Sequence, residues 1–346
     1  MNIFRSIEWL DSHQLKVLDQ RKLPHEISYL TTSDYCEVIK LIKTMAIRGA
    51  PAIGVAGAYA LVLASLNIDR ENYPEFKQHI YKCANEIKFA RPTAVNLSWA
   101  VDRLLKKLEK TLSFSTKEDT SILLAEAKAI FDEDIEINKK IGNNALPLIN
   151  KDAKIIHHCN TGSLATVEYG TALGIIRIAH EQGKNVFVFV DETRPRLQGA
   201  KLTAWELKQL DIPHKVIVDS ASGYVMKRFG VDMCIVGCDR VARNGDTANK
   251  IGTYNLAIVA RAHRVPFYVA APTSTIDLSI QSGDFIEIEE RNSKEITRIG
   301  EYEITPVGTD VFNPAFDITP AKLITAFITE RGIIYPPFDK NFSKII

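Results

Sequence analysis

The chain has 346 residues and a mass of 38.7 kDa, enough for two domains of about 100 to 200 residues each. Hydrophobic residues make up 46% and charged residues 25%, which excludes a disordered, collagenous or coiled-coil chain. With 43 Lys and Arg against 42 Asp and Glu, the net charge of +1 supplies no global field for a nucleic acid or an anionic membrane, and neither is expected as a partner.

In chain order, QLKVLDQ and HEISYLTT are short, partly alternating and separated by Pro24, which predicts two strands of a small sheet. A helix is expected from Ser33 as cap, with Asp34 in its first turn, through EVIKLIKTMA to Gly49. Pro51 suits the first position of the next helix, whose Gly54, Ala56, Gly57 and Ala60 allow close packing. That stretch, Ala50 to Leu66, falls short of the roughly 20 residues of a membrane span and reads as a buried helix. Leu97, Val101, Leu104, Leu105, Leu108 and Leu112 follow helical periodicity, as do Leu123, Ala127, Ile130, Phe131 and Ile135. The DEDIE segment near residue 134 is expected to be a solvated acidic face.

From residue 151 the pattern changes. Apolar runs KIIHHC, NVFVFVDE, HKVIVDS, DMCIVGCD and PFYVAAP alternate with helical segments, including 161 to 184 and 249 to 263. This alternation predicts an α/β protein: a C-terminal Rossmann-like, doubly wound parallel sheet over 146–346, and a smaller, mostly helical N-terminal domain with a short β-sheet over 1–145.

In such sheets ligands bind beyond the carboxyl ends of the strands. That rule selects Cys159 to Ser163, Glu192 to Gln198, Asp219, and Asp239 with Arg240. The sequence lacks G-x-G-x-x-G after the first strand, a G-x-x-x-x-G-K-[ST] phosphate loop and a G-x-S-x-G elbow. Cys159 precedes Thr161-Gly162-Ser163, where a helix start would favour a thiolate or a phosphate; a small buried core residue is the equal alternative. Asp239 reads equally as a catalytic acid or as a cap for the loop that follows. Arg48-Gly49-Ala50 before Pro51, and Arg91-Pro92, resemble anion sites at helix starts, against the plainer reading of surface ion pairs. His157 and His158 occupy opposite faces of a strand and read as packing residues; Cys234 and Cys238 read as core residues on one strand. The five cysteines, these three with Cys36 and Cys83, form no C-x-x-C pair, so neither a disulfide framework nor a zinc site is expected. The opening MNIFRSIEWLDSHQ has no signal-peptide core, which predicts a cytoplasmic location.

Six blocks carry a resemblance: IRGAPAIG at 47–54, RPTAVNL at 91–97, HCNTGSLATVEYGTALG at 158–174, DETRPRLQGAKLTAWEL at 191–207, DRVARNGDTANKIGTYNLA at 239–257 and NPAFDITPAKLITAFITERG at 313–332. Together, in order and across essentially the whole chain, they resemble the methylthioribose-1-phosphate isomerase family. This family shares a superfamily with the regulatory subunits of the exchange factor for translation initiation factor two. The resemblance implies an aldose–ketose isomerase that converts 5-methylthioribose 1-phosphate to 5-methylthioribulose 1-phosphate without metal or organic cofactor, as a homodimer. It implies Cys159 and Asp239 as catalytic residues, and Arg48, Gly49, Ala50, Arg91, Gln198, Asn249 and Lys250 as substrate-binding residues. Cys238 departs from the small residue, such as Ala, more usual in the family before the Asp, and is expected to be tolerated packing.

The implied chemistry suits these residue types. The anomeric oxygen of the substrate is phosphorylated, so the ring opens only with help from an acid. For Asp239 to supply that proton near neutral pH, burial must lift it roughly 2 to 3 units above the ordinary value of about 3.9, as a strand end in a closed apolar cleft could. Cys159 is then the base if a proton moves between C2 and C1. Arg48, Arg91 and Lys250 would neutralise the phosphate, with Asn249 and Gln198 available to sugar hydroxyls. Two other readings remain open: an isomerase of a different pentose 1-phosphate, such as 5-deoxyribose 1-phosphate or ribose 1,5-bisphosphate, and a noncatalytic sugar-phosphate-sensing subunit.

Overall fold

The computed structural model describes residues 5–68, 73–91, 95–111 and 115–346. The chain divides into two compact units: the N-terminal segment to Glu136 together with Ser163–Gly170, and Ile137–Gly162 together with Thr171–Ile346.

The first unit opens on an antiparallel meander of β1 (Ile7–Leu10), β2 (Gln14–Leu18) and β3 (Tyr29–Thr32). Two of these strands were legible in the alternation; β1 was not. Helix α1 (Tyr35–Lys43) is capped by Asp34, whose carboxylate accepts the Cys36 N–H at 2.8 Å, one residue later than the expected Ser33. It stops at Thr44 rather than running to Gly49, because Met45 takes a left-handed φ of 59°. Helix α2 (Ala50–Leu66) starts with proline in its first turn, as expected, and is buried along nearly its whole length. It packs on α3 (Tyr73–Lys88) and α4 (Val95–Lys110), and the part of α5 (Thr116–Ala145) up to Glu136 completes the helical layer of this unit. Close packing of α2 is concrete: a Cβ on Gly54 would lie 2.9 Å from the Asn96 carbonyl oxygen, and one on Gly57 would lie 2.3 Å from a methyl of Leu97. Leu112 and Pro92 lie outside the described residues. In the DEDIE segment Asp132 and Glu133 are exposed, whereas Asp134 accepts the Val167 N–H at 2.9 Å.

The second unit is a doubly wound α/β sheet. Its elements run β4 (Lys154–His157), α6 (Ala172–Glu181), β5 (Phe187–Asp191), α7 (Ala204–Gln209), β6 (His214–Ile217), α8 (Ser222–Phe229), β7 (Met233–Val236), β8 (Arg240–Ala242), β9 (Thr247–Lys250), α9 (Thr253–Ala262) and β10 (Phe267–Ala270). Then come β11 (Ile276–Asp277), the hairpin β12 (Arg298–Ile299) and β13 (Tyr302–Glu303), β14 (Phe316–Thr319), β15 (Ala326–Thr329) and β16 (Gly332–Ile334). The main sheet has the order β16-β15-β10-β7-β4-β5-β6, parallel throughout except for β16 at the edge. Numbered by appearance, the parallel strands lie 3-2-1-4-5-6, so the strand order reverses between β4 and β7. The central strands are buried on both faces, which explains their unbroken Val, Ile and Phe runs. A second sheet, β11-β8-β9-β14, was not legible, because its strands have two to four residues and polar sequences. Among the described residues no helix is long and apolar enough to cross a membrane.

Two helix expectations change. The segment expected as a helix from 161 is irregular until α6 begins at Ala172. The one expected from 249 begins only at Thr253, because Gly252, at φ 102°, ends β9 and caps α9. Asn249 and Lys250 are therefore strand residues.

Candidate active site

The strand reversal places the ends of β4 and β7 side by side, and each leads directly into one of the two candidate catalytic residues. Cys159 lies two residues beyond β4, is 6% exposed, and holds a left-handed backbone at φ 69°. A non-glycine residue in that region costs roughly 1 to 2 kcal/mol, so the surroundings must hold it there. Two hydroxyls do so. The Cys159 N–H donates to Thr193 Oγ1 at 2.9 Å, and Thr203 Oγ1 donates to the Cys159 carbonyl at 2.7 Å. Thr193 is itself left-handed, at φ 63°, which for a β-branched residue is a strained conformation. It is held by the Asp219 carboxylate, which accepts the Thr193 and Arg194 N–H groups at 2.7 Å each.

The irregular segment after Cys159 corrects one expectation: Thr161, Gly162 and Ser163 do not start a helix, so this stretch offers the thiol no helix N-terminus. The reason is local. Asn160 donates to Glu206 Oε1 at 2.7 Å, and a Cβ on Gly162 would lie within 2.4 Å of the same carboxylate, so the chain is drawn across α7. Glu206 is 3% exposed; sequence reading missed it.

Asp239 follows β7 and precedes β8, and its N–H donates to the Ala248 carbonyl at 2.9 Å, which seats it beside β9. It is exposed. The apolar burial expected to raise its proton affinity is therefore not built into the chain. Its neighbour Cys238 lies past the end of β7, not on the strand with Cys234; burial, and then the Asp239 charge, push its thiol well above the ordinary range. Cys234 is a fully buried core residue.

Asn249 is 3% exposed and donates to Thr253 Oγ1 at 2.9 Å. Lys250 donates to the Ala315 carbonyl at 2.7 Å with its ammonium 4.4 Å from the centre of the Phe316 ring. Gln198 leads into a π-helical turn at Gly199–Thr203, the turn that also brings in Thr203. Its side chain is buried, and its Oε1 has no hydrogen-bond partner among the described residues. A buried amide oxygen without a donor is costly, and a sugar hydroxyl would satisfy it.

In the first unit, Gly49 takes φ 92°, and a Cβ there would lie 2.2 Å from the Ala165 carbonyl oxygen, so no other residue fits. Ala165 also accepts the Ala52 N–H at 3.3 Å, so one amide of the α2 first turn is already engaged. Arg48, Ala50 and Arg91 are half-buried in this same unit.

The two histidines are buried, as packing residues are, and they also tie segments together through hydrogen bonds. His157 and His158 are fully buried and hydrogen-bonded on both sides. His157 Nδ1 bonds the Ile235 carbonyl at 2.8 Å, and its pKa is pushed down to about 4, by burial first and then by its neighbour His158. Burial opposes charge on His158 too, but the bonded Asp191 carboxylate, with Asp219 behind it, outweighs that and raises its affinity for a proton. The side chains of His158, Asp191 and Asp219 converge within 4.8 Å. They are engaged with protein donors rather than splayed toward a common centre. Asp191 bonds His158 at 2.9 Å and Ser222 at 2.9 Å, while Asp219 holds the Thr193 and Arg194 amides.

Residues 46–336 match the Initiation factor 2 subunit family. The chain is 55% identical to methylthioribose-1-phosphate isomerase 2 of Pseudothermotoga lettingae, over 100% of this chain and 99% of that protein. It is 54% identical to methylthioribose-1-phosphate isomerase of a Synechococcus strain, with coverage of 100% and 99%. The crystal structure of 5-methylthioribose 1-phosphate isomerase from Pyrococcus horikoshii superposes with a TM-score of 0.95 at 41% identity, covering 100% of this chain and 96% of that one. A structure described as translation initiation factor eIF-2B, subunit delta, from A. fulgidus gives 0.90 at 42% identity, covering 99% of each chain.

Proposed function

The chain belongs to the Initiation factor 2 subunit family, and we propose that it is an aldose–ketose isomerase that converts 5-methylthioribose 1-phosphate to 5-methylthioribulose 1-phosphate, with Asp239 as acid and Cys159 as base. The full-length likeness to isomerases of that name supports the reaction. The observation that carries the residue assignment is the pairing of β4 with β7: the two candidate groups leave adjacent strands at the point where strand order reverses, where sheets of this kind bind ligands.

In this reading the reaction divides into steps that each fit a residue. Asp239 protonates the ring oxygen, the furanose opens, and C2 loses its hydrogen as a proton to the Cys159 thiolate. The resulting enol phosphate takes that proton at C1 from the Cys159 thiol and gives its O2 proton to the Asp239 carboxylate, which leaves the ketone at C2, the phosphate still on O1 and both residues in their starting forms. Asp239 is exposed in the free chain, so the burial that raises its proton affinity comes with the substrate, which covers the carboxyl and displaces water from it. Arg48, Arg91 and Lys250 bind that phosphate, the backbone at Gly49 and Ala50 contacts it, and Gln198 and Asn249 take sugar hydroxyls. Holding the substrate this way lowers the entropic part of the barrier. The five free thiols suit a reducing cytoplasm, and the working unit is a homodimer. Sedimentation velocity that shows only a 38.7 kDa species would contradict the dimer.

The deciding experiment is turnover of 5-methylthioribose 1-phosphate followed by phosphorus and carbon NMR, beside 5-deoxyribose 1-phosphate and ribose 1,5-bisphosphate. Ketose formation, fastest from the methylthio sugar, is expected. A faster rate with either alternative would reassign the substrate, and no turnover of any would favour a sensing subunit.

A further inference from the structure

One imidazole joins the two halves of the catalytic unit. His158 directly precedes Cys159; its Nδ1 stands 2.9 Å from Asp191 Oδ2, and its Nε2 stands 2.9 Å from the carbonyl oxygen of Ile251. Asp191 ends β5 in the main sheet, whereas Ile251 directly follows Asn249 and Lys250 at the end of β9 in the second sheet. The ring is 1% exposed. It is enclosed so closely that a Cβ on Gly252 would lie 2.8 Å from its Cε1. Each nitrogen therefore faces an acceptor at hydrogen-bond distance, and no water competes for either. The Ile251 carbonyl can only accept, so Nε2 donates.

We infer that His158 is a positioning residue that holds Cys159 and the Asn249–Lys250 strand end in fixed register by donating one hydrogen bond from each ring nitrogen. The inference rests on the isomerase reading above, which makes those two segments the base and part of the substrate clamp. The charged groups around the ring favour the doubly protonated form: Asp191 on β5, Asp219 after β6 and Asp317 on β14 all act on it or are acted on by it, against His157 on β4. Lys250 is the cation that shares the Asp317 environment. Asp317 adds a second tie at the same corner, since its carboxylate accepts the N–H of Gly252 at 2.7 Å and of Tyr254 at 3.1 Å. An amide side chain can reproduce one arm of the imidazole but not both, because only the ring has two donors on opposite sides.

That asymmetry supplies the test. Asparagine places its amide nitrogen near the position of Nδ1, and glutamine places its own near Nε2. His158→Asn keeps the Asp191 arm and frees the Ile251 arm, so it is expected to raise KM roughly tenfold or more with kcat within about threefold. His158→Gln keeps the Ile251 arm and frees the segment that carries Cys159, so it is expected to lower kcat roughly ten- to a hundredfold with KM within about threefold. Two folded variants that share one pattern, or that keep wild-type constants while losing only thermal stability, overturn the inference. Should either variant fail to fold, nitrogen NMR of the unmodified enzyme labelled at histidine decides. Both nitrogens of one slowly exchanging ring should be protonated at pH 7.5, and a ring with an unprotonated nitrogen at this position overturns the double donor. Failure of the isomerase reading shows separately, as absence of ketose with the unmodified enzyme, and leaves the NMR result interpretable.

Discussion

Cys159 is held in a left-handed backbone by two threonine hydroxyls, and this is the residue-scale signature of the site: strain at a buried thiol, restrained by groups that are themselves tied to Asp191 and Asn160. Replacement by alanine removes only the sulfur, keeps both backbone hydrogen bonds and fills nearly the same space. Cys159→Ala should therefore fold with an unchanged melting temperature within a few degrees. Asp239→Asn should also fold, because the residue is exposed, asparagine has the same shape, and the backbone N–H keeps its hydrogen bond to the Ala248 carbonyl. Each should lose on the order of a thousandfold in turnover, since acid and base steps typically supply about 10²–10⁴-fold each. Either variant that turns over near the wild-type rate loses its place in the mechanism. Strand-end reasoning found both residues in the sequence. It could not find Thr203, Glu206 or the His158 bridge, because these act through hydrogen bonds between segments 33 to 93 residues apart and carry no local pattern.

At the scale of elements, sequence patterns were most informative where burial was one-sided or total. Helices α2, α4 and α5 and the strands β4, β5, β6, β7 and β10 follow from periodicity and apolar runs. Helix starts after β4 and β9 did not follow. In both places a glycine and polar side chains hold the chain irregular or extended, through contacts with Glu206 at Gly162 and through Gly252 at φ 102°. The small residues of α2 predicted close packing without saying which glycine matters. The structure separates them. A Cβ at Gly54 would meet backbone, the Asn96 carbonyl at 2.9 Å, which cannot move without displacing α4. At Gly57 it would meet the terminal methyl of Leu97, which can rotate away, and alanine adds about 1 kcal/mol of helix propensity. Gly54→Ala is thus expected to destabilise by roughly 1 to 3 kcal/mol, and Gly57→Ala to be near neutral. Denaturant midpoints measured side by side check this, and equal losses would refute the distinction.

For the whole molecule, the buried ionisable groups set how the fold responds to acid. His157 stays neutral in the folded chain, because burial pushes its pKa down to about 4, against an ordinary value of 6.5. As pH falls below about 6.5 the unfolded chain takes up this proton first, so the stability tied to His157 is present above 6.5 and is lost as pH drops toward 4. At 1.36 kcal/mol per unit this is roughly 3 kcal/mol. Glu295 acts in a lower window. Burial opposes its ionisation, but hydrogen bonds from Arg291 and Arg196 outweigh that and hold its pKa at about 2, so its contribution is present above about 4.5 and is lost as pH falls through 2. His158 has the opposite sign: its raised affinity stabilises the fold below the ordinary histidine range, and that contribution is lost as pH rises through its folded value. The His157 share is isolated by difference. His157→Asn keeps the hydrogen bond to the Ile235 carbonyl and removes the titration, so the variant should lose less stability than the wild type between pH 7.5 and 4.5, by roughly 3 kcal/mol. Denaturant unfolding of both proteins at the two pH values measures that difference, and parallel losses would show that His157 does not carry the acid sensitivity.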